Sequence, residues 1–185
     1  VIATVIIVAV AITIAIAVAF WMTGIVGAMT RFEKLEIPTI YAVSYDESSI
    51  GEEGTDINGD GDSQDTGWMV VLQVKNTGTS DTTIDQIYIN GKPYDYYNTD
   101  SNIAICYASG TESPTDVTEV YSEGKCNSDN NWNSFDTSRV SLKSGGNATI
   151  VIVIQSGGYF NPGMTIEVKL HTSAGNEYPK QVQLP

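Results

Sequence analysis

Val1-Ile-Ala-Thr-Val-Ile-Ile-Val-Ala-Val-Ala-Ile-Thr-Ile-Ala-Ile-Ala-Val-Ala-Phe20-Trp21-Met-Thr-Gly24-Ile-Val-Gly27-Ala-Met-Thr30 carries no charged residue, and the first charge in the chain is Arg31. Read as an α-helix and continued to about Glu36, the run is roughly 50 Å long at about 1.5 Å per residue. Its apolar part exceeds the roughly 20 residues that cross a bilayer. Apolar side chains stand on every face, so this helix has no wet side to turn to solvent. Lipid, or copies of the same helix, must surround it. A cleavable secretory signal needs a basic n-region and a shorter apolar core, and the run has neither. The missing basic residues predict that a leader has already been removed and that Val1 stands at or near a mature N-terminus. Composition leaves two destinations open: a permanent membrane anchor, or a helix stored in the membrane and later packed into a filament core.

The string from Val1 to Trp21 resembles the mature N-terminus of archaeal type IV pilins. The match is close over about the first 35 residues and only architectural beyond them. The resemblance implies a class III signal peptide cut by a prepilin peptidase, storage in the membrane, and delivery by pilus assembly machinery. It further implies a helical homopolymer, an extracellular filament on the cell surface with a role in cell adhesion. Bacterial type IV pilins typically carry a glutamate near mature position five; Thr4 and Val5 stand there instead, which favours the archaeal branch. Archaellins, the subunits of the swimming filament, share the plan, but the run from Thr4 to Thr13 looks more like an adhesion-type pilin. A membrane-anchored extracellular binding domain that never polymerises is the remaining alternative.

Charge divides the molecule in two. The 185 residues carry 22 acidic and 9 basic side chains, a formal net charge of -13, all at or beyond Arg31. About 150 residues follow the helix, enough for one β-domain with its own core. An acidic head argues against nucleic acid, whose affinity rests on neutralising phosphates with Lys and Arg. It favours solubility and keeps neighbouring copies from clumping.

The end of the apolar run holds the candidate assembly residues. Gly24 and Gly27 each weaken a helix by about 1 kcal/mol relative to Ala, and both permit close helix–helix approach. Phe20 and Trp21 fall where a bilayer interface lies before assembly. Arg31 to Ile37 then reads as an amphipathic last turn or two, with Phe32, Leu35 and Ile37 toward the head. Pro38 closes the helix, because the residue before a proline is pushed out of the α region. The expected domains are 1–37, the helix, and 38–185, the head.

Past Pro38 the period changes from helical to two. Strands are predicted over 39–45, 68–75, 83–89, 103–107, 140–142, 148–155, 164–171 and 178–184, with 92–97 as an edge strand returning from an Asn90-Gly91 hairpin. Seven or more short strands with turns at this spacing predict an α+β chain: a long hydrophobic helix followed by an immunoglobulin-like antiparallel β-sandwich.

Four features carry chemistry. Cys106 and Cys126 form an even count in an exported chain, with no Cys-x-x-Cys and no neighbouring His, which predicts a disulfide worth roughly 3 kcal/mol in the chain-entropy model. Asp56, Asn58, Asp60, Asp62 and Asp65 place oxygens as at the start of an EF-hand-type loop, so the segment reads either as a calcium site or as a solvated acidic loop; Gly67 stands where the closing Glu belongs. Calcium-dependent heat from metal-stripped protein tests the calcium reading. Asn147-Ala148-Thr149 is a glycosylation sequon. Tyr94 to Tyr97 offers a sugar- or surface-contacting patch, or core. His171 stands alone, and no nucleophile–base set can be named, so no cofactor is required and no enzyme is expected.

Overall fold

The computed structural model describes residues 1–29, 31–46, 66–97, 103–122, 124–156 and 159–185. They fall into two compact units, Val1–Phe32 and Glu33–Pro185.

The first unit is helix α1, Ile2–Met29. It is rich in β-branched residues, which are not the best helix formers. A helix nonetheless satisfies its backbone within one segment and needs no pairing edge. Its threonines obey the same rule. Thr4 donates to the Val1 carbonyl and Thr23 to that of Ala19, both at 2.7 Å, and Thr13 to that of Ala9.

The helix ends earlier than the expected Ile37. Strand β1, Leu35–Asp46, already begins where the amphipathic last turn was expected. Leu35 and Ile37 are spaced by two and both enter the head's core. That period-two burial, rather than a helical face, decides their conformation. Pro38 therefore lies inside β1, at a register shift between Glu36 and Thr39. An edge strand tolerates a proline there.

The remaining strands are β2, Thr66–Asn76, β3, Thr82–Ile89, β4, Lys92–Pro93, β5, Ile103–Ser109, β6, Tyr121–Ser122, and β7, Lys125–Cys126. After them come β8, Asn133–Ser134, β9, Val140–Leu142, β10, Asn147–Gln155, β11, Thr165–Thr172, and β12, Glu177–Gln183. One sheet has the order β1-β2-β10-β5-β8; the other runs β12-β11-β3-β4, with β9 also beside β3. The pairings are antiparallel. Reading β1, β2, β3, β5, β10, β11 and β12 as A to G reproduces the ABED and CFG sheets of a constant-type immunoglobulin sandwich.

The main core lies between the sheets, where Val70, Leu72, Ile150 and Ile152 meet Ile87, Ile89, Val168 and Leu170. A second core lies on the other face of the first sheet. There Met69, Val71, Val151 and Val153 are covered by Val117, Val120 and Trp132. Both faces of β2 and β10 are thus buried, which is why they read as nearly unbroken apolar runs instead of alternating.

At the β3–β4 turn, Asn90 has φ 49° and Gly91 φ 77°, the left-handed pair a two-residue type I′ hairpin requires. The expected edge strand over 92–97 stops at Pro93. Tyr94–Tyr96 instead form a single helical turn, which carries Tyr94 and Tyr97 into the core.

Candidate functional site: the apolar helix and the two faces of the head

On α1, every large apolar side chain from Val1 to Val26 is exposed within the chain, Phe20 at 78% and Trp21 at 67%. Burying one such side chain is worth roughly 1.5–3 kcal/mol, so the whole helix in water costs on the order of tens of kcal/mol. That exceeds the roughly 5–15 kcal/mol by which a domain is stable. The chain cannot keep this surface in water. The candidate span Ile2–Gly27 has 26 residues, about 39 Å of helix against roughly 30 Å of bilayer hydrocarbon. A Cβ added at Gly24 or at Gly27 meets nothing within 4 Å. Both glycines thus open shallow notches on the helix surface.

In the head, Cys106 and Cys126 are joined with their Cα atoms 5.7 Å apart. Cys106 is buried on β5 and Cys126 sits on the small β6–β7 hairpin. The bridge fastens a polar segment to the outer face of the first sheet. Sequence reading anticipated the pair but not the burial beneath it, because Val117, Val120 and Trp132 are scattered among Ser, Asn and Asp. Their spacing carries no period.

Asn147 is exposed at the start of β10. Thr149 of the same sequon is buried, its hydroxyl accepting from the Glu112 N–H at 2.8 Å and donating to the Gly110 carbonyl at 3.2 Å. Any enzyme that reads this threonine must act before β10 pairs. Asp56, Asn58, Asp60, Asp62 and Asp65 lie outside the described residues. Among the described residues no group of three or more His, Cys, Asp or Glu is placed to hold a metal.

His171 Nδ1 lies 2.7 Å from Asp85 on the outer face of the second sheet, with the Tyr88 ring edge-on. No hydrogen bond joins it to a serine or cysteine among the described residues, and the pair reads as a cross-strand contact.

The tyrosines divide between core and surface. The Tyr94 hydroxyl donates to Asp136 at 2.6 Å and that of Tyr97 to the Ile89 carbonyl at 3.0 Å. Burial pushes both phenols above their ordinary range, helped at Tyr94 by the Asp136 carboxylate. Tyr96 and Tyr159 are exposed, at 44% and 51%. The Lys92 ammonium lies 3.7 Å from the Tyr96 ring centroid. Its hydrogen bond and charge hold the Tyr96 phenol below the usual tyrosine value.

Asn76 was legible only as a turn former. It is fully buried, its amide donating to the carbonyls of Ser80 at 2.8 Å and Leu142 at 3.2 Å and its Oδ1 accepting from the Gly78 N–H at 2.9 Å. One side chain thereby fastens the β2–β3 connection to β9.

No family model matches this chain, and no curated protein matches its sequence. A solved structure described as "Structure of Iho670 Flagellar-like Filament" is similar at 15% identity and a TM-score of 0.36, over 98% of this chain and 97% of that chain. A likeness at that score does not establish a shared fold.

Proposed function

We propose that this chain is a filament subunit of the archaeal type IV pilin kind, polymerising through α1, with the acidic sandwich facing outward on an extracellular adhesive fibre. One observation carries it: a 28-residue helix whose large apolar side chains up to Val26 are exposed all round. Lipid covers such a surface before assembly and neighbouring helices cover it afterwards. Hydrophobic burial is already satisfied in lipid, so the net gain on polymerisation comes from packing. Gly24 and Gly27 then admit the backbone of an adjacent helix, and Phe20 and Trp21 pack at the outer end of the bundle. Prepilin peptidase and assembly machinery are the partners this reading requires, and no catalytic step belongs to the chain itself.

Electron microscopy of material sheared from source cells, with mass spectrometry of the subunit, tests the proposal. Thin filaments composed of this chain are expected. Recovery of the chain only in the membrane pellet overturns polymerisation and leaves an anchored extracellular domain. Filaments whose loss abolishes swimming point to an archaellin instead.

A further inference from the structure

Tyr96 and Tyr159 are the large apolar residues that the head exposes among its described residues, and they touch each other. Their ring centroids are 5.9 Å apart with planes at 57°, and Tyr97 lies edge-on beneath both at 5.3 Å. Phe160 supports Tyr97 at 5.2 Å, and the Tyr97 hydroxyl is held by the Ile89 carbonyl. Lys92, beside the Asn90-Gly91 turn, lays its ammonium over one face of the Tyr96 ring, 3.7 Å from the centroid. The two exposed rings thus stand on a buried aromatic base, preset before any partner arrives.

We propose that Tyr96 and Tyr159, with the Lys92 ammonium over one face of the Tyr96 ring, form a platform for the neutral hexopyranose rings of a surface polysaccharide. Three arguments select that ligand. First, the negative face of an aromatic ring matches the C–H face of a pyranose, while phenol groups at the rim and the ammonium bond its hydroxyls. Second, two half-exposed rings present roughly 200 Å², far below the roughly 800 Å² per partner of a stable protein interface but suited to one or two sugar rings. Third, a formal net charge of -13, all of it outside α1, repels polyanions. The platform gives the adhesive role proposed above its ligand class and rests on that role.

The test uses the full chain in a detergent without a sugar headgroup, so it needs no filament, and its failure leaves polymerisation untouched. Oligosaccharide arrays bearing glucose, galactose and mannose should retain the wild-type chain. Retention should fall roughly tenfold in Tyr159→Ala and in Tyr96→Ala, about the loss of one stacking contact, and hold in Tyr159→Phe. Thermal unfolding checks that the variants fold. Adding methyl hexopyranosides to wild-type protein should shift the ring resonances of Tyr96 and Tyr159, a readout independent of any variant. Retention unchanged in the alanine variants overturns the proposal, as do unmoved ring resonances. Loss of head-to-head association in Tyr159→Ala, with no glycan retained by the wild type, assigns the patch to a second copy and overturns it as well.

Discussion

Strand β10, Asn147–Gln155, and helix α1, Ile2–Met29, are composed largely of the same residues: Ala, Thr, Ile and Val. Yet β10 is buried almost throughout, paired to β2 on one side and β5 on the other and packed on both faces. Helix α1 buries none of its large side chains from Val1 to Val26 within the chain. Composition is therefore not what separates them. A nine-residue strand is bounded by turns and finds partners inside one domain. An unpunctuated run of 28 residues is too long to be paired there, and it closes its backbone on itself as a helix. The first stretch completes the head; the second awaits a solvent that the head does not supply.

Substitution at the helix notches should separate the two most widely. Gly24→Leu or Gly27→Leu is expected to abolish filaments while leaving the thermal unfolding of the head unchanged. Intact fibres from both variants would falsify the close-approach role. The head's own sensitivity lies elsewhere. Asn76→Ala takes the amide donor from the Ser80 and Leu142 carbonyls, while the Gly78 N–H keeps its second acceptor, the Lys34 carbonyl. The loss should cost about 3 kcal/mol, since a buried orphan costs roughly 1–3 kcal/mol. At roughly 2–4 °C per kcal/mol for a domain of this size, the midpoint should drop by about 6–12 °C. A calorimetric shift under about 2 °C would show that water replaces the amide at little cost.

Removing the staple is expected to have a comparable or slightly smaller effect. Cys106→Ser with Cys126→Ser should cost about 3 kcal/mol and open the outer face of the first sheet first. Hydrogen exchange should then quicken around Val117, Val120 and Trp132 before the inter-sheet core responds. Uniform quickening would mean that the two cores unfold as one.

The smallest contrast lies in alkaline titration. Tyr41, Tyr94 and Tyr97 are raised from an ordinary value of 10.0, by burial first in each case. The fold holds their protons more tightly than the unfolded chain does, so their stabilising contribution is complete below about pH 10 and is lost as the pH rises beyond it. Tyr96, lowered by Lys92, acts in the opposite sense. Tyr94→Phe should flatten the fall of stability above pH 10. Tyrosinate absorbance should show an early phase that Tyr96→Phe removes; an early phase that persists in that variant would reassign it.

The sequence by itself determined the long uncharged helix, the principal strands of the two sheets and the Asn90-Gly91 hairpin, because each rests on residues a few positions apart; it did not determine the short strands at 121–134 or the stop at Pro93. It determined the Cys106–Cys126 pairing too, since two cysteines allow only one. Tertiary structure decided the rest. Leu35 and Ile37 suit a helical face as well as an alternating strand, and only pairing with β2 and entry into the core chose the strand. The cover over β2, β5 and β10 is held by apolar residues without a period, so no local pattern announced it. Asn76 looks like any turn asparagine until β9 brings the Leu142 carbonyl to it. Tyr159, lying in a turn, gains its meaning only where the fold sets it against Tyr96. Local patterns report what the backbone does nearby; a core, a buried amide and an aromatic pair depend on which distant segments meet.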